Sequence, residues 1–364
     1  MKENVIKSYK GFDNDFCCRG FQYEVGKEYE IKGEIKCCER GFHACESPME
    51  VFDYYDMFNS RFAEVEQSGQ IDKEDDNKST KICSSRIKIK AELKLADIIN
   101  IGIEWLKGIT SSSKVKADTD LNDNGCDSAK IGSRGYYAQI GSSGDSAKIG
   151  SSGYSAKIGS SGNYAKIGSS GDYAKIGSIG NYAKIGSSGD YAKIGSSGDC
   201  AQIGSSGNYA QIGSSGNYAK IGSSGNYAKI GSSGESAKIC SSGYYAKIGS
   251  IGDYAKIGSI GYSAKIGSSG YYAKIGSSGY YAKIGSIGDC AKINSTGEYS
   301  VIMCAGKDSA AKAKAGSWIT LSEWVYDEEK GITIPKCVKT EYVDGIRIKA
   351  DTWYKLIDGE FTEL

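Results

Sequence analysis

The sequence predicts a mainly β protein organised around a parallel β-solenoid, of the β-helix or β-roll type. Three observations predict it. A nine-residue unit, AKIGSSGDY with small variations, recurs 19 times without insertion over residues 129–299, with Ala first in every copy. A short fixed period marks an architecture of stacked repeats. Within the unit, the first three positions alternate small apolar, charged and apolar, the pattern of a half-buried strand. Finally, Gly supplies 50 of 364 residues against two Pro, which excludes collagen-like and proline-rich chains.

Residues 1–110 read as a compact α+β domain. VIKSYKGF and FQYEVGKEYEI are strand-like, with Gly26-Lys27 as a turn. Ser47-Pro48 before MEVFDYYDMF predicts a helix start. Ser47 is the expected N-cap, Pro48 the first helical residue and Glu50 the partner in a capping box. Val51, Phe52, Tyr54 and Tyr55 supply its apolar face. Residues 71–80, IDKEDDNKST, form a charged loop; CSSRIKIKAELKL then alternates as a strand, and LADIINIGIEWLKG closes the domain as a helix.

This segment holds the weak catalytic candidates. His43 is the single histidine, which excludes multi-histidine metal sites. It leaves a Cys–His pair with Cys45, set against packing of His43 beside a strand end. Cys17-Cys18, Cys37-Cys38 and Cys45 invite a zinc reading, but structural zinc cysteines usually stand two to four residues apart. Buried apolar thiols fit better, so neither a metal nor a cofactor is expected.

The runs CRGFQYEVGKEYE (18–30), CERGFHACESP (38–48) and VFDYY (51–55) carry a resemblance. Together they resemble a domain of unknown function common in phage and prophage proteins, where it often precedes short Gly/Ala-rich repeats. The resemblance implies a phage or prophage origin and no activity. GFHAC leading into a Pro-capped helix is also loosely similar to a strand-to-helix step of ADP-ribosyltransferase-like folds. No matching set of Arg, Ser-Thr-Ser and Glu-x-Glu accompanies it.

Residues 111–128 are polar and read as a linker and degenerate capping coil, since a terminal repeat has one face without a neighbour. DTDLNDNG lacks the glutamate of an EF-hand calcium loop.

In the repeat, the Ala at position 1 and the Ile at position 3 are expected to point inward. The Lys at position 2 and the usual Tyr at position 9 are expected to point outward. Positions 4–7 are expected to form the corner, with glycines where close packing or positive φ is needed. Asp or Asn at position 8 adds turn chemistry. An 18-residue coil of two units is preferred over a 27-residue one, because Ala facing Ile suits two close sheets. That arrangement stacks into a rod about 45 Å long at ~4.8 Å per coil. Tyr at position 9, where calcium-binding nonapeptides place an Asp, argues against metal-driven folding.

The repeats hold 17 basic and 8 acidic groups, a net charge of +9, between mildly acidic ends. Lys fills position 2 in 16 of 19 units. Lys148, Lys157, Lys166, Lys175, Lys184 and Lys193 therefore form candidate binding rows with Tyr164, Tyr173, Tyr182 and Tyr191. Ammonium groups on phosphates and rings stacked on bases or sugars would take a nucleotide, a nucleic acid or another polyanion. The bland alternative is that Lys keeps the faces soluble while Tyr rings stack on one another.

Residues 300–364 begin with altered coils and end in a small β cap. WITLSEWVY, CVKTEYV, IRIKA and TWYKLI are its strands, Asp344-Gly345 a two-residue hairpin turn and Asp358-Gly359 another. The cap is a candidate surface for a homo-oligomer.

Twelve cysteines without secretory spacing, no signal-peptide core and no membrane-length apolar run favour the cytoplasm of a host cell. A secreted route without a signal peptide is the other option. The leading functional expectation is a non-enzymatic binding or scaffold protein that engages a host factor, of the anti-defence type. An enzyme centred on His43, acting on a nucleotide or protein, is the second; a fibre or virion module is the third.

Overall fold

The structure is a computed structural model that describes residues 5–55, 60–73, 79–94, 97–98, 101–102, 105, 120–123 and 127–364. Contacts divide the chain into two units, Met1–Trp105 and Leu106–Leu364.

The first unit is a β domain. Its strands are β1 (Ile6–Phe12), β2 (Cys17–Cys18), β3 (Phe21–Gln22), β4 (Glu28–Glu30), β5 (Phe42–Cys45), β6 (Arg61–Lys73) and β7 (Lys81–Leu93). The main sheet runs β4-β7-β5-β1-β6, and β6 pairs again with β7, so four strands close on themselves. Phe12, Ala63, Val65, Ile87 and Ile89 fill the interior. Gln67 is fully buried there, and three neighbours satisfy its amide. It accepts from Ser8 Oγ at 2.7 Å and donates to Phe42 O at 2.7 Å and Ser84 Oγ at 3.0 Å.

The expected helix is reduced to a 3-10 turn, Pro48–Glu50, and one α turn, α1 (Val51–Tyr54). The capping box is absent. Ser47 makes no side-chain cap bond, and the Glu50 carboxylate accepts from Thr80 N at 2.8 Å and Thr80 Oγ1 at 2.6 Å. Glu50 is buried, so its charge needs strong donors, and the start of β7 supplies more of them than a helix N-terminus would. Residues 71–73 of the expected charged loop continue β6, and 74–78 lie outside the described residues. The closing helix also lies largely outside them; residues 97–98, 101–102 and 105 are helical.

The second unit is the solenoid. Its first strand, β8 (Asp120–Asp123), pairs in parallel with Gln139–Ser142, so the degenerate segment does form a coil. Strands β9 (Lys130–Ser133) to β29 (Ala310–Lys312) follow at one per unit. Alternate strands fall into two separate sheets, and pairing joins residues 18 apart, as in Ile140↔Ile158 and Ile149↔Ile167. The coil is therefore two units, as the thin core predicts, and about 11 turns stack over residues 130–321.

Each strand covers positions 2–5, one step later than expected. By strand alternation position 4 faces outward, exposed on the sheet of Lys157 and buried on the sheet of Lys148, and the Ser at position 5 faces inward, so the core is Ala, Ile and Ser rather than Ala and Ile. The inward positions 1, 3 and 5 are Ala, Ile and Ser in all 19 copies, and position 7 is Gly in all of them. Positive φ falls on position 9 rather than on a repeat glycine: Tyr173, Tyr191 and Tyr227 sit at φ of 57–58°. The reason is register. In this conformation the position-9 N–H reaches the position-8 carbonyl of the next coil, as in Tyr164 N to Asn181 O at 2.8 Å.

The glycine at position 7 has a different role. A Cβ on Gly198 would lie 2.1 Å from Gly180 O of the preceding coil. Where position 8 is Asp or Asn, its Oδ1 accepts the backbone N–H of the same position one coil on, as in Asn181 Oδ1 from Asp199 N at 2.8 Å.

At the C-terminus the last coils are built by Val301–Cys304, Ala310–Lys312 and the start of β30 (Trp318–Asp327). β30 then turns back into β31 (Ile332–Tyr342). β32 (Tyr354–Ile357) and β33 (Glu360–Glu363) form a hairpin through Asp358-Gly359, as expected. The Asp344-Gly345 hairpin does not form and IRIKA is not a strand. Asp344 Oδ1 instead gathers three backbone N–H groups, from Ile346, Arg347 and Ile348, which curls the chain into a turn.

Candidate functional site

The 18-residue coil sorts the candidate side chains onto two faces. Lys157, Lys175 and Lys193 share one sheet, and Lys148, Lys166 and Lys184 share the other. Tyr173 and Tyr191 stack along one edge of the solenoid, Tyr164 and Tyr182 along the opposite edge. One sequence row is thus two physical rows.

The first of these faces reads across as four columns. An outer Tyr column leads into the position-2 lysines, then into the outward position-4 glycines, then into Ser or Ile at position 6. Lys157, Lys175, Lys193, Lys229, Lys247, Lys265 and Lys283 line it with Gln211 between them. None of these seven lysines has an ion-pair partner among the described residues. The bare glycines beside them floor a shallow trough of about 1280 Å³. Beyond the glycines, at position 6, Ile179, Ile251 and Ile287 are each 63–67% exposed, and Ile251 and Ile287 line a neighbouring groove.

The Tyr column on the near wall is continuous. Tyr173, Tyr191, Tyr209, Tyr227 and Tyr245 stack at 4.9–5.1 Å with rings within 11° of parallel. Where position 9 is Ser155 or Ser263, the preceding Tyr154 or Tyr262 fills the gap at 5.2 Å from the next ring, Tyr173 or Tyr281. The opposite edge is broken by Cys200, Ser236 and Cys290. Because the rings cover one another's faces, they offer edges and hydroxyls outward; the expected stacking of Tyr on bases is not available within the column.

The N-terminal unit holds a second site, of which sequence reasoning picked out His43 and Cys45 but not the rest. A cleft of about 910 Å³ opens between β1, the β2–β3 turn, β5 and α1. At its base Lys10 is 5% exposed, and its Nζ donates to His43 O at 2.9 Å. Burial holds this ammonium below its ordinary range; Cys18 and Cys45 oppose that shift and Arg19 adds to it. Cys18 Sγ lies 3.0 Å from Tyr55 Oη. Burial, then Cys18, pushes the Tyr55 phenol up, and Tyr23 is raised for the same two reasons.

His43 and Cys45 lie in β5 and both line this cleft. The Nε2 lone pair of His43 accepts from Cys38 N at 2.8 Å, so in this geometry it is not offered to a thiol. Burial, then the charge of Lys10, lowers the His43 pKa. The signal for Lys10 was present in VIKSYKGF: it shares a strand face with Ser8 and Phe12, so a lysine stands on the inward side of the alternation. Cys18 and Tyr55 lie in the runs that carry the resemblance, but nothing local shows that they meet; only the fold brings them together. Among the described residues no group of three or more His, Cys, Asp or Glu is placed to hold a metal.

Residues 6–101 match the model of a family described as a domain of unknown function, DUF7666. The match covers the unit that holds the cleft and leaves the solenoid outside it. No curated protein and no solved structure matches the chain. Among the described residues no helix is long and apolar enough to cross a membrane.

Proposed function

We propose that the protein is a non-enzymatic binding scaffold whose solenoid presents a cationic face to an extended polyanion. The observation that carries this reading is the column of seven unpaired lysines beside a continuous Tyr column. Successive ammonium groups stand about one coil, ~4.8 Å, apart, so their repulsion is relieved when a polyanion lies along them. The outward glycines give such a chain room to approach the backbone, and the Tyr hydroxyls add donors. A phage or prophage origin, suggested by the resemblance of the N-terminal unit, makes a host factor with an anionic surface the natural partner, met inside the host cell. The cap supports self-association as an added proposal, since β31 and β33 are the outermost strands of their sheets.

The test is a salt titration of binding to single-stranded DNA. The logarithm of the binding constant is expected to fall linearly with the logarithm of salt concentration, with a slope of about −0.7 per neutralised phosphate. Replacing Lys175, Lys193, Lys229 and Lys247 by Gln is expected to flatten that slope. A wild-type protein that does not bind at low salt, or a variant with an unchanged slope, overturns the reading.

A further inference from the structure

We infer that the cleft of the N-terminal unit is a binding site for a planar aromatic anion of nucleotide type, with the anionic group on Lys10 and the ring among the cleft aromatics. Three independent observations lead there.

The first is a buried cation without a counter-ion. Lys10 is nearly enclosed and borders the cleft. No carboxylate lies within ion-pair distance of it among the described residues. Its hydrogen bonds, to His43 O and with the Cys18 side chain, still leave capacity on an ammonium that has three donors. A buried charge in this state is costly until an anion reaches it. The carboxylates at the cleft wall do not supply one. Glu30 pairs with Arg86, Glu39 with Lys36, and Asp13 Oδ1 accepts the N–H groups of Asp15 and Cys17. Arg19, exposed at the mouth, adds a second cation.

The second is the wall. Phe21, Tyr23 and Tyr29 meet edge to face at 4.8–5.3 Å and run from the mouth inward. Phe21 is 46% exposed although it is apolar. Tyr23 ends the run with its centroid 5.8 Å from Lys10 Nζ. A ring entering along this path would bring an attached anion to the amine. The volume is within the range of small-molecule sites, roughly 300–1,000 Å³.

The third is backbone strain. Phe16, Arg19 and Cys38 hold left-handed φ values of 62°, 52° and 68°, and Arg19 and Cys38 border the cleft. Non-glycine residues in this region persist only where surroundings over-determine them, and such positions cluster at ligand sites.

The experiment is calorimetric titration of the full chain with AMP and GMP, and with inorganic phosphate as the control. Wild type is expected to bind at least one nucleotide more tightly than phosphate. Lys10→Met is expected to weaken that binding about tenfold or more. The fourfold Lys→Gln solenoid variant described above is expected to leave it unchanged, which separates this site from the polyanion face. If Lys10→Met does not fold, Arg19→Ala and Phe21→Ala carry the test, because both side chains are exposed; each is expected to weaken binding about threefold or more. No nucleotide binding at millimolar concentration, equal affinity for phosphate alone, or unchanged affinity in the cleft variants overturns the inference.

Discussion

Two glycines three residues apart in one repeat should respond oppositely to the same substitution. At Gly198, position 7, an added Cβ would stand 2.1 Å from Gly180 O, 2.4 Å from Gly180 C and 2.9 Å from Asn181 N, all backbone. Carbon contacts settle at about 3.5 Å, so the two coils must part by about 1 Å at this corner. Three bonds join them there: Ser197 N to Ser178 O at 3.0 Å, Tyr182 N to Asp199 O at 2.8 Å, and Asp199 N to Asn181 Oδ1 at 2.8 Å. Losing them at about 1 kcal/mol each gives a destabilisation of roughly 2–4 kcal/mol for Gly198→Ala. At Gly195, position 4, a Cβ meets nothing within 4 Å, and φ is not in the positive region. Gly195→Ala is therefore expected to be neutral or to stabilise by up to about 1 kcal/mol, because the unfolded chain loses freedom. Urea unfolding followed by circular dichroism measures both. Equal effects of the two substitutions, or a Gly198→Ala cost below about 1 kcal/mol, would refute the close-approach argument.

Three further outcomes follow from the same structure. Ser205 is fully buried and its hydroxyl has no partner among the described residues, so Ser205→Ala should stabilise by about 0.5–1 kcal/mol; a loss above about 1 kcal/mol in urea unfolding would mean the hydroxyl is bonded. Asn208→Ala removes the acceptor of Asn226 N and should cost about 0.5–1.5 kcal/mol, whereas Asn208→Asp should keep the bond; matching losses in both variants would contradict the ladder. Lys10→Met should raise the stability of the N-terminal unit at neutral pH, by about 1–3 kcal/mol. The folded Lys10 pKa lies below its ordinary 10.5, so the unfolded chain binds more protons between the two values and wild-type stability rises with pH across that window. The advantage of Lys10→Met should accordingly shrink as pH climbs toward 10.5; an advantage independent of pH from neutral to 10.5 would rule out a charged, depressed Lys10.

The N-terminal unit was the least legible part. Its strand alternation located β1 and β7, yet Ser47-Pro48 with Glu50 promised a longer capped helix than forms. Local capping chemistry lost to a buried carboxylate that found its donors at Thr80, thirty residues away. The same distance in sequence hides the cleft. Lys10, Cys18, His43 and Tyr55 come from four segments; the runs that carry the family resemblance include the last three, but nothing in them shows that these side chains meet at one cleft.

The solenoid divides differently. From the repeat alone came the period, the inward Ala and Ile, the outward Lys and Tyr, and the two-unit coil, because side-chain alternation and repeat length are local properties of the chain. Stacking decided the rest. Which glycine is indispensable, why Tyr sits in a left-handed conformation, why Asp or Asn precedes it, and which lysines share a face all depend on contacts between residues 18 apart. Those contacts exist only once one coil rests on the next, so tertiary structure, not the unit, set the surface on which a partner would be met.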